Sequence, residues 1–274
     1  MNLNIYASPL NDYVFKQIFG EQRNIDNTRM FLQTLLDIPE NEYGKLTVSN
    51  PILGKIFKKG KSGIVDVKLT TKSGKIILIE LQVEKKTNLK NRILYYVSRQ
   101  FSDQLRSGYN FNKLHQVISI IICDHNLLEE EESYINEYML RNEKNGIFTN
   151  MLKVVILELP KIPETADSTT WPWLRFFKCS KKEEFEMLSK KHPELKKAVS
   201  CVKKISLSER WRHTMLLWQM QKMDENEMKR EWKEKGLAEG EAKGCEKTKN
   251  EVLDLIAQGL TTEEIKFHLE KENR

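Results

Sequence analysis

Apolar and polar residues alternate along two short stretches that flank a three-residue break. From Ile64 to Thr71, Val65, Val67 and Leu69 fall on one side, while Ile64, Asp66, Lys68 and Thr70 fall on the other. From Lys75 to Val83, Ile77, Ile79, Leu81 and Val83 oppose Ile76, Leu78, Glu80 and Gln82. Lys72-Ser73-Gly74 lies between them, so the pattern predicts a hairpin. If Gly74 supplies the positive φ of a three-residue loop, Thr71 faces Lys75 and, counting outward, Asp66 faces Glu80. A two-residue loop would slip the register by one and put Val67 on the face of Glu80, against the apolar pattern. The preferred register makes the two carboxylates cross-strand neighbours, with Cβ atoms roughly 4.5–5.5 Å apart.

Other elements surround this hairpin. Ser8-Pro9-Leu10-Asn11-Asp12 has helix-start chemistry, and Tyr13, Phe15, Ile18 and Phe19 follow on one face, with Asp12 at or near the N-terminus. A second helix is expected from about Asn27 to Leu36, ended by Ile38-Pro39. Leu46–Leu53, Gln116–Cys123 and Lys153–Leu159 read as further strands, and Asn88–Arg106 reads as a helix. Leu127–Asn142 is also expected to be helical, its acidic run Glu129–Glu132 being solvated surface. This order predicts an α/β protein: a mixed sheet flanked by helices. Pro160, Pro163 and Pro172, with intervening Thr and Ser, mark a linker or long loop over 161–172. The division is then a domain at 1–160 and a helical C-terminal region at 173–274. In that region Trp211, Met215 and Trp218 recur at helical spacing and suit core packing, with a nucleic-acid stacking surface as the alternative. Glu251–Leu269 suits a short helical hairpin for self-association, the alternative being a small DNA-contacting tail; on the first reading a homo-oligomer is expected.

Composition sharpens the picture modestly. A chain of 274 residues with 39% hydrophobic content can bury a sizeable core. Its 45 Lys and Arg against 39 Asp and Glu give a net charge of +6, which favours an anionic partner. Four scattered cysteines, Cys123, Cys179, Cys201 and Cys245, suggest neither a disulfide framework nor a zinc knuckle and fit a reducing, cytoplasmic location. No signal peptide and no membrane-length apolar run is recognised. A phosphate-binding G-x-x-x-x-G-K-[ST] loop and a G-x-S-x-G nucleophile elbow are both missing, which removes two common enzyme classes.

Two ionised carboxylates side by side repel unless a cation or proton intervenes. Oxygen donors, with no His or Cys on these strands, select Mg²⁺ or Mn²⁺ over zinc, and such an ion suits phosphodiester hydrolysis. The competing reading is a solvated polar face on an edge hairpin, bearing Asp66, Lys68, Glu80 and Gln82. Positive charge brackets the pair. Lys55, Lys58, Lys59 and Lys61 precede it; Lys85, Lys86, Lys90, Arg92, Arg99 and Arg106 follow. These suit phosphate contacts with DNA. On the helix from Asn88, Leu89, Ile93, Tyr96, Val97, Phe101 and Leu105 form the buried stripe, leaving Arg92, Tyr95 and Arg99 at one-turn spacings and Gln100 near them. His115 and His125 flank a strand and share no face, so they are not read as metal ligands.

Four segments together carry a family resemblance: Asn11-Asp12-Tyr13-Val14-Phe15-Lys16-Gln17-Ile18-Phe19, Asp66-Val67-Lys68, Ile79-Glu80-Leu81-Gln82 and Arg92-Ile93-Leu94-Tyr95-Tyr96. Over roughly residues 7 to 160 they resemble the recombination-promoting nuclease, or transposase-like, family of the PD-(D/E)XK nuclease superfamily. The resemblance implies a restriction-endonuclease-like core, Mg²⁺-dependent DNA cleavage and a role in bacterial recombination or mobile elements. It makes Asp66 and Glu80 metal ligands, adds the Leu81 carbonyl, and offers Asp12 from the first helix. Gln82 stands at the superfamily's lysine position and carries no charge; Lys68, on the face of Asp66, is the candidate substitute. The alternative is a nuclease-derived DNA-binding accessory protein whose catalysis is weak because of Gln82.

Overall fold

The computed structural model of the chain describes residues 6–48, 66–105, 110–259 and 261. Its first compact unit, Met1–Ser208, is built on one six-stranded sheet in the order β1-β2-β3-β4-β6-β5. The strands are β1 (Thr47–Val48), β2 (Val67–Thr70), β3 (Ile76–Gln82), β4 (Val117–Cys123), β5 (Ile135–Arg141) and β6 (Ile147–Glu158). β1, β2 and β3 run antiparallel as a meander. β3, β4 and β6 are mutually parallel, and β5 returns antiparallel along β6. The mixed α/β sheet expected from the sequence is therefore observed.

The β2–β3 register pairs Val67 with Ile79, Lys68 with Leu78 and Thr70 with Ile76, which is the register that the apolar alternation requires. Gly74 has φ +89°, and the Thr71 N–H donates to the Lys75 carbonyl at 2.9 Å, closing the three-residue loop. An added Cβ on Gly74 would sit 2.7 Å from the His115 ring, so glycine is required there on two counts.

β4 is buried along its whole length, as a central parallel strand covered on both faces must be. Helix α3 (Leu89–Ser102) covers one face. Its Leu89 and Ile93 pack with Ile121 and Ile156, while Val97 packs with Ile76, Leu78 and Val117. The remaining helices of this unit share an aromatic core. α1 (Asp12–Phe19) supplies Phe15 and Phe19, α2 (Ile25–Leu35) supplies Phe31, and α4 (Trp171–Lys178) supplies Trp173, Phe176 and Phe177. Ring centroids are 5.5 Å apart for Phe19–Phe177 and 5.8 Å for Phe31–Trp173. α5 (Lys182–Lys191) adds Phe185 against Phe176, and α6 (Lys196–Leu207) contributes Val202 and Ser206, whose Oγ accepts from the Ala7 N–H.

Two sequence expectations change. Leu127–Asn142 is not a helix: Ile135–Arg141 forms β5, and the preceding residues form a loop. The apolar spacing of Leu128, Ile135 and Met139 imitates a helical stripe. Long-range pairing with β6 and the turn at Asn142–Gly146 override it. There Asn145 takes φ +63° and the Asn142 side chain accepts from the N–H groups of Lys144 and Gly146. The run Glu129–Glu132 is exposed, as expected. A composition break near residue 160 also does not end the compact unit, because α4 to α6 pack with α1 and α2 up to Ser208.

The second unit, Glu209–Arg274, consists in its described part of α7 (Glu209–Ala257), followed by Gly259 at φ +83°. Met223, Trp232 and Leu237 on it are exposed. The side chains of Trp211, Met215 and Trp218, and most of the expected hairpin beyond residue 259, lie outside the described residues. Among the described residues no helix is long and apolar enough to cross a membrane.

Candidate functional site

Asp66 sits immediately before β2, and continuing the observed register sets it opposite Glu80 on β3. β3 is an inner strand, so its carboxylate is not at a solvated edge. Glu80 is only 7% exposed, which overturns the reading of this face as polar surface. Lys68 lies on the same face, beneath α3, where its Nζ donates to Gln100 Oε1 at 2.7 Å.

Each carboxylate is held by local chemistry. The Leu81 N–H donates to Asp66 Oδ2 at 2.8 Å. Because the N–H and C=O of one strand residue point to the same side, the Leu81 carbonyl also faces the Asp66 side. The Gln82 carbonyl points the other way and accepts from Asp124 N–H on the β4 side. The Gln82 side-chain amide lies 3.5 Å from Glu80 Oε2. Burial raises the Asp66 carboxyl to about 6, with the Leu81 N–H and Lys16 pulling the other way and Asp12 adding to the rise. Burial likewise raises Glu80 to about 7; the Asp66 charge adds to this, and Arg92 and Gln82 oppose it.

Lys16 is the residue that sequence reading did not single out. Asn11 caps α1, its side chain accepting from Tyr13 and Val14 N–H, which sets Asp12 in the first turn and Lys16 one turn later. Lys16 Nζ lies 2.6 Å from Asp12 Oδ1 and 3.3 Å from Asp66 Oδ1. Burial alone would lower its pKa, but the bond to Asp12 and the charges of Asp66 and Asp12 outweigh that and hold it above its ordinary value. The Asp12–Lys16 spacing is a local signal readable in sequence. The approach to Asp66 is tertiary and is not.

The expected basic residues are distributed unevenly around the carboxylates. Arg92 is half-buried and near enough to Glu80 to influence its charge, while Tyr95 and Arg99 are exposed on the same helix. Tyr95 meets Tyr96 edge-on at 5.4 Å, and Arg99 lies 3.5 Å from Asp103. Lys86 is exposed, and Lys85 reaches Glu129 at 2.7 Å. Lys55, Lys58, Lys59, Lys61 and Arg106 lie outside the described residues. His125 has both ring nitrogens buried without a partner among the described residues, and His115 is exposed beside Gly74.

The donor set suits a hard divalent cation. Burial holds both carboxyls above their ordinary range, the Asp66 charge adds to the rise at Glu80, the Leu81 carbonyl is directed to the Asp66 side by the strand geometry, and one ammonium already offsets part of the charge at Asp66. Among the described residues no group of three or more His, Cys, Asp or Glu side chains gathers into a full cage.

A mixed sheet carrying a paired Asp and Glu on adjacent central strands, flanked by helices, is the architecture of a PD-(D/E)XK fold. The family model described as PD-(D/E)XK nuclease family transposase matches residues 9–231, and the chain belongs to that family. No curated protein and no solved structure gives a significant match.

Proposed function

We propose that the protein is a Mg²⁺-dependent DNA endonuclease, with Mn²⁺ as an alternative ion, serving recombination or mobile-element movement in a cytoplasmic setting. The observation that carries this reading is the pairing of a part-buried Asp66 with a buried Glu80 across adjacent strands, in a chain of a nuclease-transposase family. Asp66 and Glu80 would hold the ion, with the Leu81 carbonyl beside them and Asp12 available from α1. A bound divalent ion supplies Lewis-acid polarisation of the phosphodiester and lowers the pKa of a water molecule.

The protein's own groups prepare the site. The Leu81 N–H fixes Asp66 Oδ2, and the strand pairing fixes the spacing between the carboxylates. The Gln82 amide orients Glu80, and Lys68 and Gln100 close the face under α3. DNA phosphates would meet Lys85, Lys86, Arg92 and Arg99, with Tyr95 beside them; Lys58, Lys59 and Lys61 would add to this basic rim. Such contacts position a duplex without reading its sequence. The exposed Met223, Trp232 and Ile256 of α7 support self-association through the C-terminal helices.

The test is nicking of supercoiled plasmid in Mg²⁺ by wild type, Asp66→Ala, Glu80→Ala and Lys68→Ala, with DNA binding measured in parallel. Each carboxylate variant is expected to lose at least about a hundredfold in rate while still binding DNA. If wild type and variants bind equally and none cuts, the enzyme reading fails, and the DNA-binding accessory protein suggested by the uncharged Gln82 takes its place. Near wild-type cutting by Lys68→Ala removes Lys68 from the catalytic set.

A further inference from the structure

We propose that Lys16 is the resident cation of this carboxylate site: its ammonium neutralises Asp12 and Asp66 in the metal-free protein and yields Asp66 Oδ1 when a divalent ion binds. The inference rests on the metal-dependent reading above and assigns Lys16 a positioning role within it.

Three observations lead there. Asp66 has two oxygens, and one of them, Oδ2, is occupied by the Leu81 N–H. The other oxygen, Oδ1, is turned away from that backbone bond and is the one that Lys16 Nζ approaches to 3.3 Å. The same ammonium holds Asp12 Oδ1 at 2.6 Å, so one cation joins two carboxylates from separate elements, α1 and the start of β2. Second, Lys16 is enclosed: its side chain is 24% exposed and that of Asp66 14%, so solvent screens the contact poorly. Third, the other lysine of this face is engaged elsewhere, since Lys68 is bonded to Gln100.

A divalent ion drawing on Asp66 therefore meets a positive charge already in place. Like charges at contact distance in a poorly screened site repel strongly, so the ammonium and the ion compete for one oxygen. On exchange the lysine can remain bonded to Asp12 one turn back on α1, which leaves a positive side chain beside the carboxylates where Gln82 provides none.

The test is a calorimetric titration of Mn²⁺ into the full chain at pH 8, without DNA, for wild type, Lys16→Met, Lys16→Gln, Lys16→Arg and Asp66→Asn. Circular dichroism establishes that each variant is folded. Removing the competing charge in Lys16→Met and Lys16→Gln is expected to tighten Mn²⁺ binding about tenfold, while Lys16→Arg stays close to wild type and Asp66→Asn abolishes binding. An Asp66-dependent Mn²⁺ site whose affinity is unchanged or weakened in both Lys16→Met and Lys16→Gln overturns the exchange and leaves the nuclease reading standing. Absence of Asp66-dependent Mn²⁺ binding in every variant overturns both.

Discussion

Replacing Glu80 by Gln is expected to stabilise the metal-free protein at pH 8 and to leave it nearly unchanged near pH 4. Glu80 is buried, and desolvation together with the Asp66 charge raises its carboxyl from the ordinary 4.5 to about 7. The folded protein thus holds this proton more tightly than the unfolded chain does. The stabilisation from the protonated form is fully present below the unfolded value and is lost as pH rises through the folded one, between roughly 4.5 and 7. At about 1.4 kcal/mol per pKa unit the loss reaches at most about 3.5 kcal/mol, or roughly 7–14 °C for a unit of this size. Gln has the shape of the protonated acid and cannot ionise, so Glu80→Gln escapes the loss. Urea unfolding in EDTA at pH 4 and pH 8 measures the difference. On the proposed assignment of Asp66 and Glu80 as the metal ligands, Mg²⁺ added at pH 8 should then stabilise wild type and not Glu80→Gln. Equal stability of the two proteins in EDTA at pH 8 refutes the claim that ionising a buried Glu80 strains the fold.

Further substitutions test the scaffold, each by urea denaturation. Gly74→Ala should cost about 1–3 kcal/mol because φ +89° disfavours a side chain and the new Cβ meets His115; adding His115→Ala should recover only the steric part. Phe19→Ala, which empties the centre of the aromatic cluster, should cost about 3–5 kcal/mol. Glu158 is fully buried and accepts from Leu127 N–H, Leu128 N–H and Lys161 Nζ, so Glu158→Ala should cost about 3–5 kcal/mol and speed hydrogen exchange at Leu127 and Leu128.

The carboxylate register was legible because it depends on local features: a period-two alternation and a glycine at the only loop length that keeps it in phase. The Asp12 end of α1 was legible for the same reason, through the Asn11 cap. What escaped depends on contacts distant in sequence. Strand β5 was obscured by the acidic loop before it and by apolar spacing that fits a helix, although Asn145-Gly146 carried a usable hairpin signal. The prolines before α4 resemble a domain boundary, yet they deliver Trp173, Phe176 and Phe177 into the core made by α1 and α2. Lys16 was visible as the i+4 partner of Asp12, but its reach to Asp66 exists only once α1 lies against the start of β2.

The most direct test of the account is the anomalous diffraction signal from crystals soaked in Mn²⁺. A peak about 2.1–2.2 Å from oxygens of both Asp66 and Glu80, lost in Asp66→Asn, is the expected result. Manganese bound elsewhere, or a peak indifferent to Asp66, contradicts the assignment of this pair as the cation site.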